Sequence, residues 1–386
     1  MLGYELLIEG KISYLKFTYN LYKKQNNRMS VSRKIINAYR KVQYAICGRK
    51  AYGILQPGIP CQIEPFKADI NHGDVVHPCV RFIPEGYEGH CWWLVYTPYY
   101  GADASMENPI LCYAESNEPE PPTEWKVYCE VKGKPKKGYN SDPVLLYSGG
   151  QLYVFWREYG TEAVEVSGHQ VATFGAKVKD GGIVDEFGPI VWSDDVEIDN
   201  EVSPTFIQKG DEFLCLAMHL QFHSKWIKRQ HPSLKSFLTR ILAVSDLLGL
   251  GGQQKSFGIA RWFSDRIDTP FQYSDTVKFR KYNSLYRPWH MDFFDYQGRI
   301  YAIVQTNQCN ADLCLAYSDD YKHFTFYKKP LITNRTIGKL GIYKPTAGVV
   351  GDTFFLYYTA QDATNRALNK LYMTKIEYGQ LCSLIQ

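Results

Sequence analysis

Residues 203–220, "SPTFIQKGDEFLCLAMHL", join a Ser-Pro step, a short apolar run, a Lys-Gly-Asp turn and a second apolar run. A Gly-Asp turn between two such runs is the chemistry of a tight β-hairpin. One hairpin decides nothing, but the chain repeats this outline four more times. The other copies are "HPCVRFIPEGYEGHCWWLVYTPYY" (77–100), "DPVLLYSGGQLYVFWREY" (142–159), "HMDFFDYQGRIYAIVQT" (290–306) and "KPTAGVVGDTFFLYYTAQD" (344–362). Each opens on a polar residue, usually followed by Pro, and then turns and returns through a run rich in aromatic residues. With Met291 in the place of the fourth proline, positions 78, 143, 204, 291 and 345 are separated by 65, 61, 87 and 54 residues.

A weaker hairpin follows several copies, as in "PILCYAESNEPEPPTEW" (109–125) and "DLCLAYSDDYKHFTFY" (312–327). Two hairpins per unit make a four-stranded antiparallel sheet, the blade of a β-propeller. A β-sandwich also uses short strands and Gly turns, but it offers no reason for five copies with a polar residue at one shared place. The expectation is an all-β, five-bladed propeller over residues 66–386. The long third step holds "KWIKRQHPSLKSFLTRILAVSDLLGLGG" (225–252), whose Leu/Ile spacing reads as a helical insertion in blade three. Residues 1–65 form an N-terminal extension packed on the propeller. Within it, "SVSRKIINAYRKVQYAI" (30–46) carries a helical apolar stripe with a basic opposite face, suited to packing on the main domain or to a membrane surface or partner.

Composition narrows the function classes. Lys and Arg number 44 against 40 Asp and Glu, a net charge of +4, too small to imply a nucleic-acid partner. No apolar run approaches the roughly 18 residues of a membrane span. The N-terminus lacks the basic and apolar regions of a secretion signal, so a cytoplasmic location is expected, or a secreted one if a leader preceded this sequence. The ten cysteines include no CxxC pair and no Cys/His metal spacing. No phosphate loop, dinucleotide fingerprint, serine-hydrolase elbow or HExxH zinc motif is present. No cofactor is expected, and oligomeric state is open.

In a propeller the innermost strand of each blade lines the central channel, so the polar residue opening each copy converges with its equivalents at one mouth. That ring would hold Asp74 or His77, then Asp142, Glu201, His290 with Asp292, and Lys344. Acids from successive blades around a concave mouth suit glycoside chemistry, where one carboxylate activates water and another protonates the leaving oxygen. Arg157 and Glu158, ending an apolar strand, either reach the mouth or pair with each other. Glu107 and Asn108 follow the first hairpin as rim residues, and Trp289 precedes a ring position as a sugar-stacking face. Trp92, Trp93, Tyr99 and Tyr100 read as core packing or as stacking faces. Lys281, Arg287 and Lys344 make a basic cluster able to hold an anion.

The third copy, Glu201 to Phe213, resembles the general-acid hairpin of the five-bladed propeller glycosidases of glycoside hydrolase family 43 and their relatives, where a Glu stands just before an Ala-Pro or Gly-Pro step. Ser141-Asp142-Pro143 is similar to their blade carrying the Asp that tunes the acid. Their first-blade Asp precedes a Pro; here that Pro follows His77, and the nearest acid is Asp74 in "NHGDVVHP". Residues 75–109 also resemble propeller proteins of bacteria and phages assigned as glycosidases. The resemblance implies a hydrolase of oligosaccharides or glycans, with Glu201 as general acid, Asp142 as its tuning neighbour and Asp74 as base for water. It also implies room for a structural Ca²⁺ near a channel His. The alternatives are a glycoside phosphorylase, with phosphate held by Arg287, Lys344 and His290, and a non-catalytic glycan-binding propeller.

Overall fold

A computed structural model describes residues 52–66, 73–194, 199–221, 257–281, 288–306, 312–338, 341–365 and 368–385. The 30–46 stripe, the 225–252 insertion and Arg287 lie outside the described residues. Five sheets follow one another along the chain, antiparallel except for one short parallel edge pair in blades one and four, each built on one of the repeated hairpins. Their inner strands are Val76–Tyr87, Tyr139–Ser148, Asp199–Lys209, Pro288–Tyr296 and Ile342–Val350. Each inner strand packs on the next, and the fifth packs back on the first, so the ring closes. The expected five-bladed all-β propeller is what the chain forms.

Blade five takes its outermost strand from the other end of the propeller sequence. Ile59–Pro60 pairs antiparallel with Asn369–Glu377, and Gln62–Ile63 then pairs with Glu124–Glu130 of blade one. The segment therefore stitches the last blade to the first, and every blade edge it covers is one less edge open to other chains.

The core lies between the blades. Adjacent strand residues point to opposite faces, so Trp92 packs toward blade five with Phe355 while Trp93 lies in the core shared with blade two, beside Val144 and Val154. Both indoles are 0% exposed, which settles them as core rather than sugar-stacking faces. Gly175 marks a tight point in the core of blade two. A Cβ there would lie 2.6 Å from the Phe187 ring and 2.7 Å from the Phe155 ring. Gly175→Ala is expected to cost about 1–3 kcal/mol, read from a urea unfolding midpoint, because two close-packed rings must move.

The repeated X-Pro step has a structural consequence. Every inner strand breaks register near its start, at Val76/Cys79, Ser141/Val144, Val202/Thr205, Pro288/His290 and Tyr343/Pro345. Proline cannot donate to the ladder, so the pairing bulges there and the preceding side chain is re-aimed. His77, Asp142 and Ser203, each just before a Pro, hold φ of 53°, 50° and 51°. Non-glycine residues pay for that conformation, and such strain gathers at functional sites.

Candidate active site

The bulges bring five side chains together: His77, Asp142, Ser203, His290 and Lys344, all buried. They meet as a chain of polar contacts. Glu107 Oε2 lies 3.2 Å from His77 Nδ1, and His77 Nε2 lies 3.4 Å from Asp142 Oδ1. Ser203 donates to Asp142 Oδ1 at 2.9 Å and bonds on its other side to His290 Nδ1. Arg157 Nε sits 3.0 Å from Asp142 Oδ2 and also donates to Ser141 Oγ. From blade five, the Tyr343 hydroxyl lies 3.4 Å from His77 Nε2, and Lys344 Nζ donates to the Pro143 carbonyl at 3.4 Å.

Electrostatics follow from this packing. Burial by itself would raise the Asp142 carboxyl, but His77, Arg157 and Lys344 beside it hold it well below the usual carboxylate range. Burial lowers His290 well below the ordinary histidine value and lowers Lys344 as well. Glu107 is pushed up by burial, with His77 opposing. The mouth thus holds an ionised Asp142, a neutral His290 and an acid-prone Glu107 within one network.

Several predicted residues lie elsewhere. Both Asp74 oxygens accept backbone N–H groups, from Tyr99 and Asn369 at 2.6 Å each, so Asp74 ties blade one to blade five instead of facing the ring. Asn108 is bonded to Glu130, Lys132 and Asn140, a loop brace. Asp292 is clamped by Arg81 through two bonds of 2.7 and 2.9 Å, with Thr346 and Thr205 also donating to it. Arg157 and Glu158 do not pair, because alternation sends Glu158 to the opposite face, where Lys132 meets it at 2.8 Å. Trp289 stands beside His290 at 5.9 Å between ring centroids.

Glu201 lies two residues ahead of the blade-three ring position, and that position belongs to Ser203. Its Oε1 bonds His219 on the neighbouring strand at 2.7 Å, following the strand register. Sequence reading missed Ser203, Tyr343, His219 and Arg81. Ser203 had a usable signal, since it stands before the same proline as His77 and Asp142.

The Arg81–Asp292 pair crosses the channel below the mouth. Beyond it, a cavity of about 450 Å³ opens at the far end, lined by residues of all five blades, among them Phe82, Tyr147, Gln208, Asp295 and Val349.

No family profile and no curated protein matches the sequence. Solved structures do match in shape. An N-acetylgalactosamine deacetylase from F. plautii, crystallised with blood group B trisaccharide, shows a TM-score of 0.61 at 16% identity over 86% of this chain and 97% of its own. The β-xylosidase RS223 gives 0.53 at 11%, over 80% and 94%. A GH43 enzyme from Xanthomonas citri gives 0.51 at 12%, over 84% and 90%. The fold is that of the family 43 glycosidases.

Within that propeller fold, the ring carries a histidine in blade one and a serine in blade three. The calcium that the family resemblance implies does not fit the channel. Hard cations need several free oxygen ligands, yet Asp142 and Asp292 are each spent on an arginine. Among the described residues no three His, Cys, Asp or Glu side chains converge as a metal group.

Proposed function

We propose that this protein is a hydrolase acting on a glycan, with its reaction centre in the buried network at the channel mouth. The observation that carries the reading is Asp142. A buried carboxylate on strained backbone, held well below the usual carboxylate range by charged side chains from several blades, is the kind of group that gathers where chemistry is done. Solved propellers of similar shape hold sugars: the deacetylase above holds a trisaccharide, and a family 43 β-xylosidase/α-arabinofuranosidase holds xylotriose.

On the first form of this reading the bond cut is glycosidic, with Glu201 as proton donor and Asp142 beside it. A second form, cleavage of an acyl group carried by a sugar, is favoured by the ring itself. Blades one and three place His77 and Ser203 there, and Asp74 is bound to backbone, so two free carboxylates do not face one another as glycoside cleavage requires.

The full chain is to be incubated with xylo- and arabino-oligosaccharides and with acetylated oligosaccharides, following new reducing ends and released acetate. One of the panel is expected to be turned over, and Asp142→Asn to abolish it. If no glycan is altered, or if sugar phosphate forms only when phosphate is added, hydrolysis is ruled out. Glu201→Gln separates the two forms: glycosidic cleavage falls about 10²-fold or more without its proton donor, whereas acyl cleavage continues unchanged.

A further inference from the structure

Ser203 has one proton to give. Asp142 is ionised and can only accept, and Ser203 donates to its Oδ1 at 2.9 Å. The Ser203 oxygen therefore accepts from His290 on its other side, which places a hydrogen on His290 Nδ1. The second ring nitrogen, Nε2, is then a bare lone pair. It is buried and has no hydrogen-bond partner among the described residues. An unmet buried acceptor is costly, a cost that a purely structural histidine avoids by finding a donor. The groups that face this ring are Asp142, His77, Lys344 and Arg157, with the Tyr343 ring 4.6 Å and the Trp289 ring 5.9 Å away between centroids.

We infer that His290 Nε2 is the proton acceptor for the attacking water, that Ser203 is its positioning residue, and that the substrate is an acylated sugar. This rests on the hydrolase reading and selects its second form. The water oxygen bonds to the acyl carbon, the carbonyl π pair moves to its own oxygen, and the water's proton goes to Nε2. As the bond from that carbon to the sugar oxygen or nitrogen breaks, the same proton passes from Nε2 to the leaving atom. Free carboxylic acid departs and the imidazole is again neutral. One histidine serves both transfers because nucleophile and leaving atom share one tetrahedral carbon, as in acyl transfer generally. Inverting glycoside cleavage needs groups on two opposite faces.

The test uses the full chain labelled with ¹⁵N-histidine, the His290 resonances among the nine histidines being assigned by their loss in His290→Gln. At pH 7 the His290 ring is expected as the neutral Nδ1–H tautomer. Ser203→Gly, chosen because glycine accepts φ of 51°, is expected to release that tautomer. It should also lower kcat for acetate release by about 10–100-fold with KM little changed, and shift the acid limb of the pH–rate profile. A purely structural role would leave tautomer and limb where they were. An Nε2–H tautomer or an imidazolium in the wild type overturns the inference, as does full turnover by His290→Gln. Loss of turnover on chelation, restored by a divalent cation, makes Nε2 a metal ligand and overturns it as well. New reducing ends with acetate from no acylated glycan overturn the proton-acceptor role and leave the hydrolase reading in its first form, whereas no change in any glycan overturns both; the tautomer result separately upholds or removes the role of Ser203.

Discussion

Asp142→Ala will lose turnover altogether and about 3–5 kcal/mol of stability, the cost of breaking a buried ion pair from one side. The reason lies in what the carboxylate leaves behind. Arg157, 3.0 Å from Asp142, and Lys344, whose Nζ donates to the Pro143 carbonyl, would be buried without the carboxylate that balances them. Ser203 would lose its acceptor, and with it the bond that fixes its oxygen toward His290. The stability loss is read from urea unfolding of both proteins. An Asp142→Ala protein as stable as wild type would show that the pair contributes nothing to folding.

The same carboxylate sets a pH dependence. A carboxyl whose folded value lies below its unfolded value of about 3.9 binds fewer protons when folded. Its contribution is therefore present above pH of about 4 and is lost as the pH falls through the depressed folded value. Asp142 and Asp292 both lie on this side. Glu107, raised by burial, acts in the opposite sense: its protonated form favours the folded state, and that contribution fades as the pH rises through its folded value. The expected profile is acid destabilisation that is shallower in Asp142→Asn than in wild type.

Asp292→Ala is expected to be comparably costly, about 3–5 kcal/mol, with a different cause. Asp292 takes no place in the mouth network. It binds the Arg81 fork through both oxygens and accepts from Thr346 and Thr205, so residues of blades one, three, four and five meet on one carboxylate. Arg81 also donates to the Val80 and Leu145 carbonyls, which brings in blade two. Removing the acid leaves a guanidinium in a channel lined mainly by apolar side chains. A double-mutant cycle with Arg81→Met isolates the pair: the double variant is expected to recover part of the loss, since a well-packed apolar replacement spares the desolvation of both ions. Additive losses would show that the two residues act independently.

The five-bladed propeller was legible because its signals are local and repeated. Gly turns between aromatic runs specify hairpins, and five copies at nearly even spacing specify how many blades there are. His77, Asp142, His290 and Lys344 were legible for the same reason, each standing at the opening of a copy. The register break near the start of each inner strand, which falls at an X-Pro step in every copy but the fourth, also re-aims them. Glu201 was misplaced in the ring because the family outline drew attention to a glutamate near a proline, whereas register and bulge put Ser203 at that point.

Other assignments could not be made from local pattern. Asp74 and Asp142 are both acids near the start of an inner strand. The closing of the ring brings the Asn369 backbone to Asp74, while Asp142 meets Arg157 across the hairpin of its own blade. Arg81 sits inside an unremarkable apolar run, and the partner that gives it a role is more than two hundred residues away in blade four. Glu107 becomes part of the mouth because a loop of blade one folds over His77. The amino-acid pattern determined which strands form and which residues open them, because hydrophobic period and turn chemistry act over a few residues. Which oxygen meets which donor, and hence which acid is tied to backbone and which is held among charged side chains, was decided only when five distant strand ends met at one mouth.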